Sequence, residues 1–86
     1  MDGIFCVYIL ENNQRKKYIG ITSNLPKRLE EHNTGKSKFT ASRGPWNLIW
    51  NSFGMDHTSA LKLEILMKRQ KGGSGLKALQ ATYAGS

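Results

Sequence analysis

Ile4-Phe5-Cys6-Val7-Tyr8-Ile9-Leu10 is an unbroken apolar run, and a polar stretch separates it from a second strand-forming segment, Lys17-Tyr18-Ile19-Gly20-Ile21-Thr22. Both are rich in β-branched and aromatic residues, which favour extended backbone. A strand that is apolar at every position leaves no face for water, so residues 4–10 predict a central strand covered on both sides. The polar connection through Asn12-Asn13 predicts a hairpin. Tyr8 and Tyr18 share parity, and pairing closed around Asn13 would set them opposite each other on one face.

Working outward, Ser23 or Asn24 can cap a helix with Leu25-Pro26 in its first turn, running to about Asn33 and ended by Gly35. Arg28 and His32 are four residues apart on that helix, beside the stripe made by Leu25 and Leu29. Residues 36–43 are polar and basic. Gly44-Pro45 then punctuates the chain, and residues 46–53 read as a third strand. Asp56 or Thr58 starts the longest helix, which stops before Gly72-Gly73. Gly72-Gly73-Ser74-Gly75 reads as a flexible joint before a last short helix over residues 76–83. The expected fold is α/β (α+β): one domain over residues 1–86, a small three-stranded mainly antiparallel sheet flanked by helices.

The long helix carries an anomaly. Ala60, Leu61, Leu63, Ile65, Leu66 and Met67 form its apolar side, and at 100° per residue Glu64 falls inside that arc. A carboxylate withdrawn from water must neutralise, pair with a cation or bind a metal. Periodicity leaves two readings open: a pair with Lys68 one turn on, or a functional acid.

Thirteen Lys and Arg against six Asp and Glu give a formal charge of +7 on 86 residues. The cations are clustered rather than spread, and Lys16, Lys17, Lys27, Lys36, Lys38 and Arg43 in or beside loops suit a phosphate backbone. Nucleic acid is the first partner to consider. The single cysteine, Cys6, permits no internal disulfide and suits a reducing cytoplasm. No apolar run is long enough to span a membrane. Cys6, His32 and His57 form no zinc-ligand spacing.

The ordered set Val7-Tyr8, Tyr18-Ile19-Gly20, Arg28, His32 and Glu64 resembles the GIY-YIG nuclease superfamily. The resemblance covers roughly residues 4–71. His32-Asn33-x-Gly35 and Arg43-Gly44-Pro45-Trp46 point to a narrower group. That group contains small bacterial stand-alone domains and the catalytic subunits of eukaryotic structure-specific endonucleases; the chain is similar also to the N-terminal domain of an excinuclease subunit. Two departures stand out. Cys6-Val7 replaces Gly-Ile in the first word, and no asparagine follows Asn51, where many members carry a late one; Gln70 or Gln80 are the nearest substitutes.

The resemblance implies an endonuclease using Mg²⁺ or Mn²⁺, acting on DNA, with RNA not excluded. Glu64 would be the metal ligand and Arg28 the phosphate clamp. Tyr18 would activate water with help from His32, while Tyr8 orients the water or the phosphate. A tyrosine starts at a pKa of about 10 and a histidine at about 6.5, so His32 could also take the proton directly, and the choice between the two stays open. Each residue also has a plainer reading: Arg28 paired with Glu30 or Glu31, the tyrosines as core aromatics, His32 easing a helix end. Phe39 or Trp46 could stack on an exposed base. With no separate recognition module in view, the expected selectivity is for branched, flapped or damaged structures, or for a site chosen by a targeting protein. A binding module that holds nucleic acid without cutting it is the alternative. The sequence leaves the oligomeric state open.

Overall fold

The structure, a computed structural model, describes residues 3–35, 43–70 and 73–85. Its elements follow in the order β1 (Cys6–Glu11), β2 (Lys17–Thr22), α1 (Leu25–Asn33), β3 (Asn47–Asn51), α2 (His57–Lys68) and α3 (Gly73–Tyr83). The three strands form one antiparallel sheet in the order β2-β1-β3, so the apolar strand β1 is central as its composition requires. Val7, Tyr8, Ile9 and Leu10 are all buried. The fold is α+β.

Each face of β1 has its own cover. Val7 and Ile9 point to a cluster with Ala60, Leu63 and Met67 of α2, against which Ile19, Ile21, Leu76 and Leu79 pack. Tyr8 and Leu10 point the other way, to Trp46 and to Tyr18, Leu25 and Leu29. Alternation along one strand thus divides the molecule into two cores.

The hairpin differs from expectation in register. Leu10, not Tyr8, lies opposite Tyr18, and Tyr8 lies opposite Gly20. The connection is longer than a turn closed at Asn13, because the Asn12 side chain organises it: its Oδ1 accepts from the backbone N–H groups of Gln14 (3.0 Å) and Lys16 (2.9 Å). Arg15 takes the left-handed conformation that closes the loop, with φ 62°. The two-residue slip preserves parity, so both tyrosines still share a face.

Asn24 caps α1, accepting from Lys27 N–H, and Gly35 follows its end with φ 83°. Asp56 caps α2, accepting from Ser59 N–H at 2.8 Å. The third strand is shorter than residues 46–53, and a bulge between Ile9 and Leu10 shifts its register against β1. The apolar arc of α2 is also narrower. Ala60, Leu63 and Met67 are buried, whereas Leu61, Ile65 and Leu66 are exposed, since one flat sheet face covers only a single stripe of a helix.

Gly73, Ser74 and Gly75 form the first turn of α3 rather than a joint; Gly72 lies outside the described residues. The chain after α3 is fastened to the end of β3. Phe53 N–H donates to the Tyr83 carbonyl (2.9 Å), Gly85 N–H to that of Asn51 (3.0 Å), and the Trp50 indole N–H to that of Gln80 (3.1 Å). No helix among the described residues is long and apolar enough to cross a membrane.

Candidate active site

Four of the five expected site residues meet at one place, on the Tyr8 face of the sheet. Tyr8 comes from the buried central strand, Tyr18 from the edge strand, and Arg28 and His32 from successive turns of α1 laid across them. The ring centroids of Tyr8 and Tyr18 are 6.2 Å apart, and that of His32 lies 5.8 Å from the first and 4.7 Å from the second.

Gly20 makes this cluster possible. A Cβ at this position would come within 2.7 Å of the Tyr8 hydroxyl oxygen and 2.9 Å of the Tyr18 ring, closer than real Cβ contacts allow. The missing side chain is therefore the space that both phenols occupy.

The Tyr8 hydroxyl is the centre of a buried polar network. It lies 2.8 Å from His32 Nε2, and Arg28 lies within hydrogen-bonding reach of both Tyr8 and Tyr18. Burial pushes the Tyr8 phenol up to about 12, against the pull of Arg28, and the charge of Glu64 adds to the rise. Burial and the neighbouring Arg28 push His32 below its ordinary value, only partly offset by Glu31, so at neutral pH the ring is uncharged. In the tautomer whose Nε2 is unprotonated, the Tyr8 O–H donates to His32 Nε2. Burial alone would lower Arg28, but its bonds to Tyr8, Glu31 and Tyr18 outweigh this and leave it more firmly charged.

The plainer readings of Arg28 and Glu64 hold alongside these. Arg28 donates to Glu31 Oε1 at 3.1 Å, and Glu64 Oε2 lies 3.3 Å from Lys68 Nζ. Glu64 sits at the buried edge of α2, its side chain only 15% exposed, and its charge reaches the Tyr8 phenol. Among the described residues no three His, Cys, Asp or Glu side chains cluster as a metal site. A hard divalent cation does not require such a cluster. One carboxylate with waters and substrate oxygens is a usual setting for Mg²⁺, and Glu64 fits that donor set.

Of the cations expected to track a backbone, Lys16, Lys17, Lys27 and Arg43 are exposed, whereas Lys36 and Lys38 lie outside the described residues. Lys17 pairs loosely with Glu11 at 3.5 Å, and the Arg43 carbonyl is held by the Asn12 amide at 3.0 Å. Phe39 also lies outside the described residues. Trp46 is not available for stacking, because it is buried against Tyr8 and Leu10. The Asn33 side chain fixes its backbone, accepting from Trp46 N–H (2.7 Å) and donating to its carbonyl (3.1 Å). Sequence reasoning missed this clamp and that of Asn12; asparagines beside turn signals were the available clue.

The chain matches the model of the GIY-YIG catalytic domain over residues 4–77. The chain belongs to the GIY-YIG family. It is 42% identical over 77 residues to a UPF0213 protein of Lactiplantibacillus plantarum, covering 86% of this chain and 76% of that one. A UPF0213 protein of Syntrophus aciditrophicus is 37% identical over 76 residues (86% and 87% covered), and one of Oceanobacillus iheyensis 33% over 81 residues (93% and 94%). No solved structure matches. A GIY-YIG domain implies nuclease-type activity and hence DNA binding, and nucleases of this family generally use divalent metals. The family match extends through Gly73, Ser74 and Gly75 into α3, beyond the residue 71 limit of the motif resemblance.

Proposed function

We propose that the protein is a divalent-metal-dependent endonuclease that hydrolyses phosphodiester bonds in DNA, selecting branched, flapped or damaged structure over sequence. The observation that carries this reading is the convergence of Tyr8, Tyr18, Arg28 and His32 on one spot within the field of Glu64. A binding module needs cations on its surface but has no use for a buried neutral histidine bonded to a phenol.

Glu64 would hold Mg²⁺ or Mn²⁺, which when bound supplies Lewis-acid stabilisation of charge on the phosphate and leaving oxygens. Arg28, permanently charged and forked, binds two phosphate oxygens and stabilises the charge that builds on them. Its present bond to Glu31 is part-buried and keeps the fork aimed across the phenols.

A phenol near 12 is a poor base alone at neutral pH. The Tyr8–His32 hydrogen bond removes that difficulty. As Tyr8 takes a proton from the attacking water, its own proton passes to His32 Nε2, so the final acceptor is a neutral imidazole. This differs from the expectation that Tyr18 is the phenol His32 assists. Tyr18, half-buried at the edge strand and bonded to Arg28, then orients the water and the phosphate.

Lys16, Lys17 and Arg43 stand near the hairpin loop, and Lys27 stands by the far end of β2 in the first turn of α1. A six-residue strand separates them, about 17 Å. At about 3.4 Å per nucleotide that is roughly five nucleotides of backbone, with the site between.

The test is incubation with flapped, branched and linear DNA, and RNA counterparts, in Mg²⁺, Mn²⁺ and EDTA, alongside Glu64→Ala. Cleavage is expected on structured DNA with either metal only. Survival in EDTA or in Glu64→Ala would sink the metal role; salt-sensitive binding without cleavage on every substrate would establish the binding module instead.

A further inference from the structure

Beside the reactive face, at the edge of β2, lies a cleft of about 360 Å³ that the chemistry above does not use. Ile19, Met67 and Leu76 form its apolar floor, and Lys17 and Lys68 its cationic rim. Its floor lies on the α2 face of the sheet, opposite the Tyr8 cluster; edge-strand Tyr18, which belongs to that cluster, borders it, and rim residue Lys68 is the partner of Glu64. All of these residues are described, and the floor is part of the α2-side core.

An apolar slot with a positive rim, sharing Tyr18 with the proposed phosphodiester site, has the chemistry of a nucleotide pocket: a flat apolar base, flanked by anionic phosphates. Its volume is at the small end of the range for small-molecule sites, about 300–1,000 Å³, which suits one base rather than a stacked pair. A base inside a duplex cannot enter, because its faces are covered by its neighbours and its edge by its partner. An unpaired or extruded base can, and the energy of unstacking is then least for a flap, a mismatch or a lesion.

We infer that the cleft of Ile19, Met67 and Leu76 receives the unpaired base of a nucleotide next to the scissile phosphate, with Lys17 and Lys68 holding the flanking phosphates. This rests on the nuclease reading and supplies its selectivity: structured DNA is chosen because only there is a base free to occupy the slot. Leu76, half-buried on α3, lines the slot and is not one of the reacting groups.

The experiment has two arms. In the first, the cut in a flapped DNA is mapped and the nucleotide on each side is replaced in turn by an abasic residue. One replacement is expected to slow cleavage about tenfold, and Leu76→Trp, which fills the slot, is expected to cleave the intact and abasic substrates at the same slow rate. Equal rates for intact and abasic DNA overturn the pocket while leaving the nuclease standing, and need no variant that could misfold. In the second arm, flapped DNAs carrying 2-aminopurine at successive positions across the junction are titrated with protein in EDTA. Fluorescence is expected to rise at one position with wild type, as the base leaves its neighbours for an aliphatic slot, and not with Leu76→Trp. No rise with wild type, or a rise that Leu76→Trp keeps, overturns the pocket even if no DNA is cleaved, an outcome that would by itself refute only the nuclease.

Discussion

Val7 and Ile9 on one face of β1 meet Ala60, Leu63 and Met67, while Tyr8 and Leu10 on the other meet Trp46, Tyr18, Leu25 and Leu29. Residues adjacent in sequence therefore enter opposite environments. The first face is apolar and needs only close packing. The second buries a phenol and an imidazole, each about 1% exposed, and a buried polar group is tolerable only when bonded. Among the described residues no buried side-chain nitrogen or oxygen lacks a partner. The comparison teaches a division of labour: the apolar core under α2 supplies stability, and the α1 side accepts the cost of desolvating polar groups to hold them ready.

The largest effects should separate along that division. Arg28→Ala is expected to lower the cleavage rate by about 10²–10³, from loss of charge stabilisation at the phosphate, with little change in the urea midpoint. Tyr8→Phe should fall in the same range, and Tyr18→Phe by about tenfold, since only the first interrupts the path to His32. Leu63→Ala, which empties a buried site away from the cleft, should do the reverse: a loss of about 2–5 kcal/mol in stability, with the surviving folded fraction cleaving normally. An Arg28 variant that unfolds, or a stably folded Leu63 variant that is inactive, would break the comparison.

Gly20→Ala should fail on both counts, since the added methyl would meet Tyr8 and Tyr18 together. Overpacking of this kind costs about 1–3 kcal/mol, and moving the phenols by even 1 Å is expected to cost about 10²-fold in rate. Paired denaturation and cleavage measurements check it; an active, stable variant would show that the phenols are not held by this contact.

How much of this was legible in the sequence depends on whether a local pattern or a tertiary contact decides each residue. The apolar run of β1, a cap from Ser23 or Asn24, a start at Asp56 or Thr58 and the spacing of Arg28 and His32 are local, and the structure agrees with them, taking Asn24 and Asp56 of the two pairs. The hairpin register was not legible, because it turns on Asn12 folding back on two backbone amides and on Arg15 adopting a positive φ. Parity survived that error, which is why the tyrosines were placed on the right face but opposite the wrong partners. Trp46 reads in the sequence as open to a base; its side chain is instead buried against Tyr8 and Leu10, and Asn33, thirteen residues earlier, holds its backbone. The pairing of His32 with Tyr8 rather than Tyr18 likewise depends on how α1 crosses the sheet, which no spacing encodes.

His32 tests the polar face through pH. Its folded value lies below its unfolded value, near 6.5, so neutral His32 contributes stability that is present above about pH 6.5 and lost as pH falls below it. One proton sets the limit, no more than about 1.4 kcal/mol per pH unit. Urea melts at pH 7.5 and 5.0 should show a steeper loss for wild type than for His32→Gln, and the cleavage rate should fall over the same acidic range. A variant that loses stability in parallel with wild type would place the titrating group elsewhere.

The smallest effect concerns Glu64, which stands at the boundary between the two regions, on the packing helix but within reach of the Tyr8 phenol. Its carboxylate pairs with Lys68, whose side chain is 55% exposed. An exposed i, i+4 pair is worth a fraction of a kcal/mol, up to about 1, and is screened by salt. Whatever the pair contributes must be given up when a cation takes that oxygen, so Lys68 competes with the metal. Lys68→Met is therefore expected to tighten Mn²⁺ binding about two- to fivefold, measured by titration without DNA, and the gain should shrink as salt rises and weakens the pair in wild type. The sign is what matters: weaker Mn²⁺ binding in Lys68→Met would mean that Lys68 orients Glu64 for the metal rather than occupying it, and the ion pair would then belong to the reactive face instead of the packing helix.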